Sequence, residues 1–329
     1  MELTFAEDVA LAAPQPAQSP GARRTALLTL LEQLTQAGYA FVTSTPGSHA
    51  RVIARPDRRH GHDLRDVFGW SLPFDADLLD RRMFAPLRDA GVIVETDDGR
   101  FASTVRVSSV RGTLFLHSAF PTTAYDAVFL GPDSYRFADL IVARMAPLGP
   151  GARILDYAAG AGVGGIVAAL QGRGARLTVA DINPKALFLA SINAAHAGLD
   201  VDAVEASTPT DVDGDFDLIV THPPFMIDPE RRAYRDGGDL YGARLSLDWV
   251  VAGARKLRPG GRLILHTGVA IVRGEDVLRP PLAEALRSLG CSLWYHELDP
   301  DIFGDELEHE AYADVERIAA VGACVVRGA

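Results

Sequence analysis

From Gly151 onward, apolar runs alternate with helical stretches so regularly that few architectures remain open. RILDYA, RLTVADI, VDAVEAS, FDLIVTH, GRLILHTG, CSLWYHEL and RIAAVGACVV are short, apolar and bounded by glycine, proline or charge, the pattern of seven strands. Between the earlier ones, GGIVAALQGRG, PKALFLASINAAHAG and RLSLDWVVAGARKLRPGG carry apolar residues at helical spacing, and two of them end in a glycine just past the last apolar position. Strands and helices joined by short connections predict a doubly wound, seven-stranded Rossmann-like α/β sheet. No long helix separates the last two strands, so the closing pair is expected to be antiparallel.

The first hundred or so residues do not keep that rhythm. RTALLTLLEQLTQAG and DADLLDRRMFAPLRDAG have helical periodicity, and GVIVETDDGRFASTVRVSSVRGTLFLHS has strands around a DDGR turn. Helices followed by a hairpin predict a smaller α+β domain of winged-helix-like character. The expected organisation is a flexible leader over 1–22, this lid or substrate domain over 23–118, a connector over 119–149 and the catalytic domain over 150–329. SHARVIARPDRRHGHDLR is basic, but acidic residues interrupt it and it has no aromatic residue for stacking on bases, so a solvated loop is expected. Its HGHD stretch is too sparse to predict a metal site, and no metal is expected elsewhere.

Charge is distributed unevenly. Residues 1–120 hold 13 Lys/Arg against 14 Asp/Glu, whereas the remainder holds 19 against 29. An acidic second half is a poor surface for a phosphate backbone, which weighs against a nucleic-acid partner. No uncharged apolar run reaches the length of a membrane span, and the acidic, Ala/Pro-rich start lacks the features of a signal peptide; a cytoplasmic protein is expected. The two cysteines, Cys291 and Cys324, have no metal-like spacing and are expected to be free thiols.

Within RILDYAAGAGVGG, a strand ends in an acidic residue and small residues lead into a helix. Gly160 and Gly162 allow a ligand to approach the backbone. Asp181 ends the next strand, 25 residues after Asp156, where a carboxylate accepts from ribose hydroxyls. A nicotinamide dehydrogenase shares those features. The fourth strand discriminates: FDLIVTHPPF sets a Pro-Pro bend and an aromatic ring at the carboxyl edge of a central strand, where open α/β sheets bind ligands.

With these motifs in order, residues 150–270 resemble class I S-adenosylmethionine (SAM) methyltransferases. They most resemble the branch whose fourth strand ends in Asn-Pro-Pro-Tyr, which includes release-factor glutamine methyltransferases and adenine and guanine N-methyltransferases. The counterpart here is His222-Pro223-Pro224-Phe225. The resemblance implies that Asp156 and the turn Ala158, Ala159, Gly160 and Gly162 hold the methionine end of SAM. By the same resemblance Asp181 binds the ribose, Ile182 packs on the adenine, and Ser207 and Thr208 flank its edge. Ala158 stands where the branch has a glycine, and His222 where it has asparagine.

In the asparagine form, side-chain and backbone carbonyls accept both hydrogens of a planar NH2 and hold its lone pair towards the methyl group. A histidine is instead able to take a proton near neutral pH, which suits a hydroxyl, carboxylate or aliphatic amine. The alternative is a buried imidazole, with Thr221 or a backbone group doing the positioning. In the connector, Tyr125, Tyr135 and Arg136 are candidate substrate residues: aromatic faces favour the sulfonium and Arg136 suits a carboxylate. The expectation is a SAM-dependent methyltransferase acting on N or O of a small metabolite. Two alternatives stand beside it. In one, SAM is itself the substrate of a cyclase giving azetidine-2-carboxylate and methylthioadenosine; in the other, the acceptor is a nitrogen of a nucleic acid or of a protein glutamine.

Overall fold

A computed structural model describes residues 19–232 and 235–328 and divides the chain into two compact units at Thr123/Ala124. Residues 1–18 of the expected leader lie outside the described residues.

In the first unit, Ser19 caps α1 (Pro20–Gln36) with its side chain, so the helix begins inside the stretch expected to be leader. Leu27, Leu30, Leu31 and Leu34 form its buried stripe at helical spacing. The expected solvated loop is instead partly helical. Thr45 caps and Pro46 starts α2 (Pro46–Ile53), and Asp63 caps α3 (Leu64–Phe68) through the Asp66 N–H. Short polar residues and a Thr-Pro start made these helices resemble a loop, yet His49 is fully buried, donating from Nε2 to the Trp70 carbonyl and stacking on Phe120. Then follow α4 (Arg81–Asp89), capped by Asp80, and two antiparallel pairs: β1 (Ile93–Glu95) with β2 (Phe101–Ser103), and β3 (Val105–Val110) with β4 (Thr113–Ser118). Among the described residues, four α-helices and two antiparallel strand pairs make this an α+β unit. His60 and His62 join no cluster: among the described residues, no group of three or more His, Cys, Asp or Glu side chains could hold a metal.

The second unit opens with α5 (Pro132–Arg144) and then alternates: β5 (Arg153–Tyr157), α6 (Val163–Gln171), β6 (Arg176–Asp181), α7 (Pro184–His196), β7 (Val201–Glu205), β8 (Phe216–Thr221), α8 (Arg244–Arg255) and β9 (Leu257–Val272). A short β10 (Glu275–Asp276) returns along β9, and α9 (Arg279–Ser288), β11 (Cys291–Asp299) and β12 (Arg317–Arg327) close the chain. The strands lie in the order β11-β12-β9-β8-β5-β6-β7, with β5 to β9 parallel and β12 antiparallel to both of its neighbours. All seven expected strands are present and the closing pair is antiparallel. No described helix is long and apolar enough to cross a membrane.

Successive strands step away from β5 on both sides, with β6 and β7 to one side and β8 and β9 to the other. Such a reversal opens a crevice at the carboxyl ends of the strands, here of β5 and β8. Apolar residues of β5, β8, β9 and β12 pack with α8 and α9 into one large core, including Phe216, Leu263, Leu282 and Val321. That rigid support holds the two motifs of the crevice in register.

Candidate functional site

The turn after β5 is built for close approach. Ala158, Gly160 and Gly162 all have left-handed backbone, with φ of 56°, 52° and 77°. For alanine that conformation is costly, so the chain retains at Ala158 a strain that a glycine would relieve. Asp156, fully buried at the end of β5, accepts the Gly165 N–H of the first turn of α6 at 2.7 Å through Oδ2. Burial, reinforced by the nearby Asp181 carboxylate, pushes Asp156 up to about 8. Asp181 accepts the Gly160 N–H on one oxygen and the Asn183 N–H on the other, both at 2.9 Å; burial raises its pKa and these N–H groups oppose the rise. Ile182, next to it, is 53% exposed, an unusual position for a large aliphatic side chain in an otherwise apolar-inside sheet.

Across the crevice, β8 ends in Thr221. Its hydroxyl donates to the Tyr157 carbonyl at 2.8 Å, so it ties β8 to β5 and is not available for positioning a substrate. His222 follows, half-buried, with its ring 5.7 Å from both Phe137 and Phe225. Its Nδ1 lies 2.9 Å from the carbonyl of His266. A carbonyl only accepts, so the ring proton sits on Nδ1 and Nε2 carries the lone pair. Burial lowers the His222 pKa, opposed by the Asp133 carboxylate and the bond to His266, so the ring is neutral at pH 7.

Phe225 was expected as an apolar wall. It is only 8% exposed, because its ring packs over Gly268, where an added Cβ would stand 2.3 Å from it, and against Phe303. It supports the His222 ring from behind. Gly237 and Gly242 close over the backbone of Phe225 and Met226, leaving no room for side chains, and the Gly237 N–H donates to the Met226 carbonyl at 2.7 Å. The Pro-Pro bend is therefore clamped by the glycine loop after it.

The methyltransferase small domain family matches residues 137–268. A release factor glutamine methyltransferase of Deinococcus radiodurans is 36% identical over 167 residues, which is 47% of this chain and 55% of the relative. One of Chlorobaculum tepidum is 36% identical over 140 residues, 36% of this chain and 48% of the relative. Over these residues the chain is similar to class I SAM-dependent methyltransferases. A ribosomal RNA small subunit methyltransferase C of Pectobacterium atrosepticum is 37% identical over 73 residues, 22% of this chain and 21% of the relative. The chain spans about half the length of the release-factor relatives it matches.

Within a class I domain the residues around β5 and β6 fit SAM: a side-chain-poor left-handed turn, a carboxylate at the end of β6 and an exposed aliphatic beside it. A second exposed side chain lies close by. Tyr125, 69% exposed, precedes Asp126, whose backbone carbonyl accepts from Asn183 Nδ2 at 2.9 Å and whose carboxylate pairs with Lys185 at 3.2 Å. The connector thus runs alongside the Ile182 loop, and Tyr125 and Ile182 are both exposed there. Ser207 and Thr208 are held by their N–H groups on Asp211 Oδ2, at 3.1 and 2.8 Å. The other connector residues lie differently. Arg136 is engaged by two carboxylates of its own chain, Asp133 at 3.0 Å and Asp299 at 2.6 Å, so it has little to offer a substrate carboxylate. Tyr135 is half-buried on α5, and Phe137, buried, reaches the site instead, filling the space over Gly164. Among these residues, sequence reasoning missed His266; no local motif marks it.

Proposed function

We propose that this enzyme methylates the nitrogen of a planar amide, a glutamine side chain of a protein, in the manner its release-factor relatives are named for. One observation carries the reading: the bond from His222 Nδ1 to the His266 carbonyl leaves Nε2 as a fixed acceptor. An amide NH2 needs two acceptors to orient it. His222 Nε2 supplies one, as an asparagine carbonyl does, and the backbone of the prolyl pair supplies the other. The base role expected of a histidine is weakened, because burial lowers its pKa and a proton is taken up less readily. The charge of the second half, 19 Lys/Arg against 29 Asp/Glu after residue 120, favours a protein acceptor over the RNA of the ribosomal relatives. A small-metabolite acceptor therefore becomes the second choice.

SAM supplies an electrophilic methyl group. The residues around the turn at Ala158–Gly162 orient it, His222 and the prolyl backbone orient the acceptor, and Phe137 and Phe225 keep water from the imidazole. On methylation the acceptor nitrogen would have one proton to lose, and His222 Nε2, bonded to that N–H, would pass it on to solvent and not retain it, because burial lowers the His222 pKa. The test is incubation with methyl-labelled SAM and a release factor, followed by peptide mass spectrometry. Label on one glutamine is expected. Methylthioadenosine released from SAM with no acceptor present would replace this reading with the cyclisation, and label found only in small molecules would return the metabolite acceptor.

A further inference from the structure

The His222 ring does not meet the His266 carbonyl alone. The parallel register of β8 and β9 pairs Thr221 with Leu265, so the next residues, His222 just past the end of β8 and His266 within β9, stand side by side. Their rings meet edge to face with centroids 4.7 Å apart and planes at 86°. The two Nδ1 atoms are 3.4 Å apart, and His266 is fully buried.

This geometry permits one arrangement of protons for a neutral pair. His222 must carry its proton on Nδ1, because a carbonyl faces it at 2.9 Å. That N–H also points towards His266 Nδ1, which therefore presents a lone pair. The His266 proton is left on Nε2, and that atom is buried with no hydrogen-bond partner. A buried unpaired donor is rare in a native core and calls for an explanation. The charged groups around the pair come from α5: Asp133 acts on His222 and Arg136 on His266. With His222, Arg136 keeps His266 from taking a second proton, and burial does so more strongly, holding its pKa well below the usual histidine value.

We propose that His266 is a positioning residue: its imidazole is the second acceptor for the His222 Nδ1–H and the wall against ring rotation, and so fixes Nε2 as the acceptor for substrate. The unpaired Nε2–H of His266 is the by-product of that clamp. This inference rests on the acceptor role assigned to His222, but its main test does not need the substrate.

The full chain, labelled with 15N-histidine and free of SAM and acceptor, is compared as wild type, His266→Asn and His266→Leu by ring-nitrogen NMR at neutral pH. Asparagine keeps an acceptor near the position of Nδ1; leucine keeps the backbone carbonyl and the bulk but loses the acceptor. Wild type and His266→Asn are expected to show His222 protonated on Nδ1 with a narrow ring signal, and His266→Leu, which keeps the carbonyl, the same tautomer with a signal broadened by ring motion. Melting temperature is the second readout. Leucine removes the unpaired donor, so His266→Leu is expected to melt no lower than wild type while methyl transfer falls about tenfold in kcat with SAM affinity unchanged. A residue serving only the core would lose stability and activity together. His266→Met stands in if the leucine variant does not fold. Protonation of His222 on Nε2 in wild type overturns the inference, as does a His266→Leu protein whose His222 ring signal stays as narrow as in wild type. If the NMR result is as expected but no amide is methylated, the clamp stands and the proposed acceptor falls.

Discussion

Replacing Asp156 by asparagine should stabilise the protein at alkaline pH and leave it unchanged near pH 4. The carboxyl group is buried at the foot of the SAM turn, and its pKa in the folded chain is about 8. In the unfolded chain it returns to roughly 3.9. The folded state thus holds a proton that the unfolded state releases. Its contribution is fully present below about pH 4 and is lost progressively as pH rises towards 8. At about 1.36 kcal/mol for each unit of difference, the whole window has a ceiling of roughly 6 kcal/mol. Asparagine is isosteric with the protonated acid, and its oxygen still accepts the Gly165 N–H made now at 2.7 Å. Thermal melts of both proteins without SAM, at intervals from pH 4 to 8, should give a difference that grows with pH. SAM binding should change in the opposite sense, weakening by about ten- to a hundredfold at pH 8 if the carboxylate faces the cationic methionine end. A stability difference that is flat across this range would refute the reasoning, because Asp156 would then be ionised in the fold.

Ala158→Gly should cost at least about 1 kcal/mol less than Ala161→Gly in a denaturant melt, since Ala158 alone of the two has left-handed φ, at 56°, and relief of that strain offsets the flexibility that glycine adds. Ile182→Ala should leave the melting temperature of the SAM-free protein unchanged, because the side chain is 53% exposed, and weaken SAM about fivefold by calorimetry through lost apolar contact. Gly268→Ala should destabilise by about 1–3 kcal/mol, the added methyl falling 2.3 Å from the Phe225 ring. His222→Asn should keep methyl transfer and abolish its acidic limb. In wild type that limb should fall below pH 6.5, since burial lowers the His222 pKa and protonation on Nε2 removes the acceptor.

The sheet was legible because each of its strands is an apolar run bounded by a breaker. Its edges were less so. The Arg-Pro-Gly before GRLILHTG has the composition of a turn, yet β9 already starts at Leu257, which pairs with Phe216, and the ladder bulges before resuming at Arg262. The helix α9 was not foreseen in the sequence; the prolines at its start leave no intrahelical donor unpaired. The turn at Ala158–Gly162 and Asp181 were legible as local motifs. Arg136 was not, because its partners are Asp133 on its own helix and Asp299, 163 residues away. His266 was legible least of all. Its partnership with His222 comes from the register of two strands 44 residues apart, which no spacing within either strand encodes.

The exchange of asparagine for histidine is best understood as a pair of changes. A lone imidazole at position 222 would be a poor copy of an amide carbonyl, since its proton moves between two nitrogens and each tautomer offers substrate a different group. Binding Nδ1–H to the β9 backbone removes that freedom and leaves one acceptor in one place. The cost is the unpaired His266 Nε2–H, of the order of 1–3 kcal/mol for a buried donor. A reacting nitrogen misplaced by about 1 Å loses on the order of a hundredfold in rate, close to 3 kcal/mol of barrier. The two quantities are of similar size, so a fold that keeps the unpaired donor is consistent with selection for orientation at this position over stability. A histidine working as a free base would need neither the clamp nor the second ring.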